Sequence, residues 1–157
     1  MVKINIITVG SLKEKYLKDA IAEYQKRLSR FAKLTIIELD EAYLPQAPAA
    51  ADIERALSKE ADAILRRLSG GAHVALCVEG GQLSSEEFAH KLEGLESRGS
   101  IDFIIGSSHG LDERVKAACP WRLSFSKMTF PHQLMRLILC EQIYRAYKIN
   151  HNESYHK

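Results

Sequence analysis

The feature that most constrains the fold is a regular alternation of short apolar segments with longer segments whose apolar residues recur every three or four positions. The first pattern predicts buried β-strands, and the second predicts helices with one buried face. Strands that alternate with helices are typical of an α/β fold with a mainly parallel sheet and helices on both faces. The predicted strands are Lys3 to Val9, Leu34 to Leu39, His73 to Val78, Ile101 to Ile105 and Arg122 to Ser124.

The helix starts are marked by residues that commonly cap helices. Ser11 and Ser84 are each followed by a glutamate three residues later, which is the form of a capping box. Asp52 is expected to cap the second helix. A short helix is predicted over Asp112 to Ala118, and Pro131 is expected to be the first residue of a long closing helix. The buried face of the second helix should comprise Ile53, Leu57, Ile64 and Leu68.

The closing helix is more apolar than a helix on one face of a small sheet should be. Between Leu134 and Ile149 its polar residues form only a narrow arc, which comprises Glu141, Gln142, Arg145 and Lys148. The sheet can cover only one side of this helix, so we expect the other side to pack against a second copy of the protein. Arg136 falls on the apolar surface, where it either snorkels from the helix start or is a charge held at an interface or aimed at a phosphate.

Length and cysteine content exclude several classes of protein. The chain has 157 residues, which fits a single compact domain over residues 1–157. Cys77, Cys119 and Cys140 are far apart in sequence and have apolar neighbours, so we expect reduced core thiols and no metal site. Neither a signal peptide nor a membrane-spanning stretch is recognisable, which predicts a cytoplasmic protein with no membrane partner.

The net charge of +2 hides an uneven distribution along the chain. Residues 121–157 carry six Lys or Arg against two acidic residues, and the segment from Ser11 to Lys33 is also basic. The segment from Glu38 to Asp62 is acidic. A polyanion should therefore meet the two ends of the chain. Composition alone favours the alternative, which is a solvated charge pattern without functional meaning.

Three segments that follow predicted strands are candidates for a ligand site. They are residues 78–81, 106–110 and 126–132, and ligands in open α/β sheets bind beyond the carboxyl ends of strands. Glycines in the first two segments allow a ligand to approach the backbone closely. Neither segment is a P-loop or a complete dinucleotide fingerprint, and each one alone is more typical of a tight turn.

A specific set of motifs is concentrated in the C-terminal part of the chain. They are LSFSKMTFPH at residues 123–132, EQIYRAYKI at 141–149 and the ending YHK at 155–157, with VALCVEGG and FIIGSSHGL upstream. In combination, and over essentially the whole chain, these motifs resemble the RlmH family. That family consists of SPOUT-class methyltransferases that modify N3 of a pseudouridine in the 23S RNA of the large ribosomal subunit.

The resemblance implies a SPOUT fold whose C-terminal segments form a trefoil knot. It also implies S-adenosylmethionine as the cofactor, held at the same three predicted strand ends. The residues that the resemblance implies for this role are Leu76, Gly106, Phe125, Ser126, Lys127, Met128, Thr129 and Phe130. The family commonly has a second glycine where this chain has Ser107, which raises a question about the conformation of that loop.

The Tyr-His ending is implied to fold over the site of a homodimer, near the subunit boundary. Methyl transfer from a sulfonium is a direct displacement in which N3 must lose a proton, and it needs no metal. His156 is the candidate for handling that proton, and Tyr155 for stacking on the base. Arg145 is the candidate for binding phosphate or stabilising charge on the base, although it could instead pair with Glu141.

The resemblance therefore predicts an enzyme that methylates large-subunit ribosomal RNA. We expect it to recognise assembled ribosomes, because a protein this small has limited surface for grasping a large RNA. One alternative is a SPOUT methyltransferase that acts on transfer RNA, although the chain lacks an appended RNA-binding domain. The other alternative is a domain that binds RNA or a nucleotide without catalysis.

Overall fold

The structure, a computed structural model, describes all 157 residues and consists of one five-stranded sheet covered by helices. The strands are β1 (Val2–Val9), β2 (Ala32–Leu39), β3 (Ala72–Gln82), β4 (Ser100–Ile105) and β5 (Trp121–Ser124). The helices are α1 (Lys15–Leu28), α2 (Ala50–Arg67), α3 (Ser85–Leu95), α4 (Glu113–Ala117) and α5 (His132–Asn150), with a short 3-10 helix at Glu96–Arg98. The strand order is β2-β1-β4-β3-β5 and every pairing is parallel, which confirms the predicted α/β architecture.

The sheet separates two apolar layers, because side chains alternate between its faces along each strand. Ile4 and Ile6 of β1 face the larger layer, which includes buried residues of α1, α3 and α5. Ile7 and Val9 of the same strand face the smaller layer, which includes buried residues of α2 and α4. Helices therefore cover both faces, as predicted.

Two of the three predicted helix caps differ in the structure. Ser11 caps no helix, because the backbone is still extended at residue 14 and α1 begins at Lys15. Asp52 lies at the third position of α2 rather than before it, and its carboxylate accepts a hydrogen bond of 2.9 Å from the amide of Ala49. Ser84 caps α3 as predicted, with its hydroxyl accepting from the amide three residues later at 3.1 Å.

A charged residue lies in the middle of the otherwise apolar strand β4. Asp102 is fully buried, and its carboxylate accepts hydrogen bonds from Asn5 Nδ2 and from the amide of Ser69, both at 2.7 Å. His73 Nε2 lies 3.6 Å from the same carboxylate. These partners compensate for the loss of hydration. The cluster ties β4 to β1 and to the segment that follows α2.

α5 packs between α1 and α3, so the protomer covers more of this helix than the sheet alone could. Its buried side chains are Arg136, Leu139, Cys140, Ile143, Ala146 and Tyr147. The apolar surface left outside is smaller than the sequence predicted, with Leu134 exposed and Ile138 half-buried. None of the helices, α5 included, combines the length and apolar content that crossing a membrane requires.

Both interpretations of Arg136 are wrong, because this residue is buried inside the protomer. Its side chain is 1% exposed, and Nη1 donates to Glu38 at 2.7 Å. Nη2 donates to the carbonyl oxygen of Gly10 at 3.3 Å and lies 3.4 Å from Thr8 Oγ1. The guanidinium therefore ties the start of α5 to the carboxyl ends of β1 and β2.

Replacing Glu38 with glutamine should destabilise the protein, because the buried Arg136 guanidinium would lose its counter-charge. Glu38 is partly exposed, so we expect a loss of roughly 2 kcal/mol in the free energy of unfolding. Burial alone would raise the pKa of Glu38, but hydrogen bonds from Arg136 and from the amide of Leu12 outweigh it and hold that pKa below its usual value. The stabilisation should therefore be present at neutral pH and be lost as the pH falls below about 4.5.

Denaturant unfolding at pH 7 and at pH 3 checks this expectation. Glu38→Gln should be less stable than the wild type at the higher pH and close to it at the lower pH. Asp19→Asn is the control, since Asp19 pairs with Lys15 on an exposed helix surface and should contribute less than about 1 kcal/mol. Equal stability of Glu38→Gln and wild type at pH 7 would contradict the role of this ion pair.

Candidate active site

A cavity lies beyond the carboxyl ends of β3, β4 and β5, where the three candidate segments meet. Its volume is about 590 Å³, which is within the range of small-molecule sites. The proposed cofactor residues that line it are Leu76, Gly106, Phe125, Ser126, Met128, Thr129 and Phe130. Lys127 belongs to the same segment but is exposed and is not part of the cavity wall.

One wall of the cavity is formed by an irregular stretch of β3. The strand does not end before the glycine pair but runs to Gln82, which corrects the predicted loop at residues 78–81. Leu76 and Gly81 both pair with Leu123 of β5, so the residues between them bulge away from the sheet. The bulged residues that line the cavity are Cys77, Val78 and Glu79. Because of the bulge, three consecutive residues of one strand line the cavity, although side chains of a regular strand would alternate between the two faces of the sheet.

The floor of the cavity is a tight turn that begins at Gly106, directly after β4. The amide of Gly110 donates to the carbonyl of Ser107 at 2.9 Å, and Gly110 has a φ of +85°, which glycine adopts without strain. A Cβ atom at Gly106 would lie 2.3 Å from the carbonyl oxygen of Gly110. Only glycine at this position lets the turn close so tightly.

Ser107 is anchored by Glu60 of α2, a residue that the sequence analysis did not single out. The Ser107 hydroxyl donates to Glu60 Oε1 at 3.0 Å, and the amide of Ala42 donates to Oε2 at 3.1 Å. Glu60 is 6% exposed. The Ser107 hydroxyl therefore fixes the turn to α2, which answers the question that the resemblance raised about the conformation of this loop.

The segment after β5 forms another part of the cavity wall. The Ser126 hydroxyl accepts from the amide of Met128 at 3.0 Å, and the Ser126 carbonyl accepts from Ser124 Oγ at 3.0 Å. Met128 is 73% exposed at the mouth of the cavity. The wall therefore combines backbone polar groups with apolar side chains, which suits a ligand that has both an apolar and a hydrogen-bonding part.

The charged side chains of the cavity wall are already paired within the protein. Lys116 donates to Glu79 and lies 3.5 Å from Glu113. The hydrogen bond between them lowers the pKa of Glu79 and raises the pKa of Lys116, so both are charged at neutral pH. His132 Nε2 lies 3.8 Å from Glu41. The pair of Lys116 and Glu79 leaves the wall with little net charge.

The C-terminal tail reverses direction at Asn152, which has a φ of 54°, and returns along α5. His156 Nδ1 lies 3.0 Å from Arg145 Nη1, and His156 Nε2 lies 2.5 Å from the carboxylate of Glu86 at the start of α3. A guanidinium can only donate and a carboxylate can only accept, so these partners assign the proton of a neutral imidazole to Nε2. Nδ1 is then its basic atom.

Tyr155 packs on the outer side of α5 next to the same arginine. Its ring meets that of Tyr144 edge-on at 5.0 Å between centroids, and its hydroxyl donates to Glu141 at 3.2 Å. The Arg145 guanidinium lies 4.8 Å from the centre of the Tyr155 ring, and its Nε donates to Glu141 at 3.0 Å. Arg145 therefore pairs with Glu141, the alternative that the helix spacing offered, and also contacts both tail residues.

The structure thus brings the proposed functional residues together in two separate groups. The cofactor residues meet in the cavity, and His156, Tyr155 and Arg145 meet on the outer surface of α5, where none of them lines the cavity. Glu60 holds Ser107 at the cavity, and Glu86 holds His156 in the tail. The sequence analysis singled out neither glutamate. Glu60 follows Leu57 at helical spacing on the predicted apolar face of α2, which was a usable signal, whereas Glu86 resembled any exposed glutamate of a first helical turn.

Known proteins with similar sequences agree in one family. The family model described as "Predicted SPOUT methyltransferase" matches residues 2–156. A protein named "Ribosomal RNA large subunit methyltransferase H" from an Exiguobacterium species is 54% identical over 98% of this chain and 99% of its own. A protein of the same name from Bifidobacterium adolescentis is 53% identical over 99% of both chains. A third with that name, from Clostridioides difficile, is 51% identical over 98% of this chain and 99% of its own.

A solved structure shares the fold at much lower sequence identity. It is described as a probable methylase family protein from Haemophilus influenzae Rd KW20, and it superposes with a TM-score of 0.57. The likeness covers 98% of this chain and 70% of the other chain at 14% identity. At that identity the likeness supports the arrangement of strands and helices alone.

Proposed function

We propose that this chain, which belongs to the SPOUT methyltransferase family, transfers a methyl group from S-adenosylmethionine to N3 of a pseudouridine in the 23S RNA of the large ribosomal subunit. Relatives that are about half identical over nearly their full length carry names that specify large-subunit ribosomal RNA. This substrate implies action in the cytoplasm, on assembled ribosomes.

The observation that carries the proposal is the joining of three strand ends in one cavity. Leu76, Gly106 and the segment 125–130 would hold the cofactor there. The fit is supported by the glycine turn, whose Gly106 and Gly110 both line the cavity, and by walls that combine apolar side chains with backbone polar groups. Bound S-adenosylmethionine supplies a methyl group on a positively charged sulfur.

The tail supplies the proton chemistry in this proposal. In this structure Nδ1 of His156 accepts a hydrogen bond from Arg145, so Arg145 must turn toward the base before Nδ1 can accept the proton from N3. Glu86, hydrogen-bonded to Nε2, would stabilise the imidazolium that results. Hydrogen bonds from its own amide and from His156 hold the pKa of Glu86 below its usual value, so it carries the charge that this role needs. Arg145 borders Nδ1 and would stabilise negative charge on the base, while the Tyr155 ring would stack on it.

A homodimer would bring the two groups of residues together. Within one protomer the tail residues do not line the cavity, whereas apolar side chains at the cavity mouth and on the outside of α5 lie open to solvent. Val78 is 51% exposed, Met128 73% and Leu134 36%. Burial of this surface against a second copy would let the tail of one protomer approach the cavity of its partner.

The double substitution Leu134→Lys and Ile138→Lys should convert a stable dimer into a monomer. Both residues lie on the outer side of α5, so two buried charges would have to be desolvated in the interface. Sedimentation velocity at micromolar concentration measures the outcome. Glu54→Lys, at an exposed residue of α2 on the other face of the sheet from α5, is the control and should leave the dimer intact. A wild-type protein that sediments as a monomer would contradict the proposed assembly.

Transfer of labelled methyl groups tests the activity directly. Purified protein is incubated with methyl-labelled S-adenosylmethionine and with 70S ribosomes, isolated large subunits or transfer RNA. Label should enter ribosomal RNA in ribosomes. Label in transfer RNA would favour a SPOUT methyltransferase that acts on transfer RNA. If the protein neither binds the cofactor nor transfers label, a non-catalytic RNA-binding domain would be favoured.

A further inference from the structure

We propose that Glu60 supplies the negative charge by which the cavity favours the positively charged methyl donor over its neutral product, S-adenosylhomocysteine. This inference rests on the proposed function and adds a discriminating residue to it. Glu60 lies outside the cavity wall, one hydrogen bond behind Ser107, which is part of that wall. It would therefore act on the ligand through its charge and through Ser107, not by direct contact.

The carboxylate of Glu60 is buried without a cationic partner in the protein. Its two hydrogen bonds come from neutral donors, the Ser107 hydroxyl and the amide of Ala42. It forms no ion pair with a lysine, arginine or histidine, although its neighbour on α2, Asp62, pairs with Arg114 at 2.9 Å. Buried carboxylates are usually paired with a positive group, so the absence of a cationic partner at Glu60 needs an explanation.

The other charges around the cavity do not offer the same effect. Glu79 is neutralised by Lys116, and the Glu41 side chain is 54% exposed, so solvent screens its charge. Glu60 is thus the uncompensated charge adjacent to the turn at Gly106. A charge 6% exposed is screened little by water or salt, and it keeps its influence over a few ångströms.

The two ligands differ in charge at one atom. The donor carries a positively charged sulfonium, and loss of the methyl group leaves a neutral thioether, while the amino, carboxylate and adenosine groups are the same in both. A negative charge near the cavity therefore stabilises the donor and has little effect on the product. Such a difference favours exchange of spent cofactor for fresh donor after each turnover.

Replacing Glu60 with glutamine removes the charge and keeps an oxygen that can accept from Ser107. Isothermal titration with each compound should show affinity for S-adenosylmethionine reduced roughly tenfold and affinity for S-adenosylhomocysteine nearly unchanged. Ser107→Ala removes the hydrogen bond but keeps the charge, and should change both affinities by a similar factor. Asp62→Asn, which removes an exposed and paired charge from the same helix, should change neither.

The outcomes separate this inference from the proposed function. Equal losses of affinity for the two compounds in Glu60→Gln, or no loss, would overturn the role of the charge while leaving the methyltransferase proposal intact. If the wild type binds neither compound, both proposals are wrong. A selective loss for the donor supports Glu60, because a purely structural defect in the turn would weaken both ligands alike.

Discussion

Deletion of Tyr155–Lys157 should reduce methyl transfer at least about 100-fold, which is the usual minimum effect of removing a general acid or base. Affinity for S-adenosylmethionine and the dimeric state should change little, because the tail does not line the cavity and contributes no residue to either apolar layer. Single-turnover rates on ribosomes under saturating cofactor measure the first effect. Titration calorimetry and sedimentation measure the other two.

Single substitutions identify which tail residue carries the loss. His156→Ala should reproduce most of the effect of the deletion, whereas removal of Lys157 alone should have little effect. Glu86→Gln should fall between these, because it keeps an acceptor for Nε2 of His156 but loses the charge that would stabilise the imidazolium. A truncated protein that methylates ribosomes at the wild-type rate would exclude the tail from the chemistry.

Gly106→Val should abolish detectable binding of S-adenosylmethionine while the overall fold survives. Even the first carbon of a side chain would overlap the carbonyl oxygen of Gly110, at 2.3 Å, so the turn must open and distort the cavity floor. The sequence suggested that the side chain would fill space needed by the ligand. The structure instead puts the first collision within the turn itself, so Gly106→Ala should also weaken binding strongly.

Gly81→Ala provides a control in β3, at a glycine that follows the cavity-lining bulge but does not itself line the cavity. A Cβ there meets only the carbonyl oxygen of Arg122 at 3.9 Å, an ordinary contact, and should leave affinity nearly unchanged. Circular dichroism and thermal melting show whether each variant remains folded. Wild-type affinity for S-adenosylmethionine in folded Gly106→Val would show that the turn takes no part in holding the cofactor.

Periodicity was sufficient to predict the layers of this fold, because apolar side chains must face a core wherever strands and helices pack. It also located the cavity, since the carboxyl ends of parallel strands share one edge of a sheet. Periodicity failed where hydrogen bonds determine the local conformation of the backbone. The pattern at Ser11 has the form of a capping box, yet the chain there is still extended, and the glycine pair after Val78 lies within a bulged strand.

Long-range polar partners explain most of what the sequence could not reveal. Arg136 meets Glu38, and Ser107 meets Glu60, across 98 and 47 positions of the chain, and nothing local indicates either pair. The roles of Arg145, Tyr155 and His156 came from the family resemblance rather than from any pattern and stay predictions. The trefoil knot is likewise a prediction from that resemblance, since strand periodicity carries no information about how loops pass one another.

The central claim is that this protein methylates N3 of a pseudouridine in 23S ribosomal RNA. The most direct test is mass spectrometric mapping of 23S RNA from cells that contain the protein, from cells that lack it and from cells complemented with His156→Ala. We predict one pseudouridine that carries an additional methyl group at N3 only when the wild-type protein is present. An identical modification pattern in all three RNAs, or a methyl group that appears on transfer RNA instead, would contradict the claim.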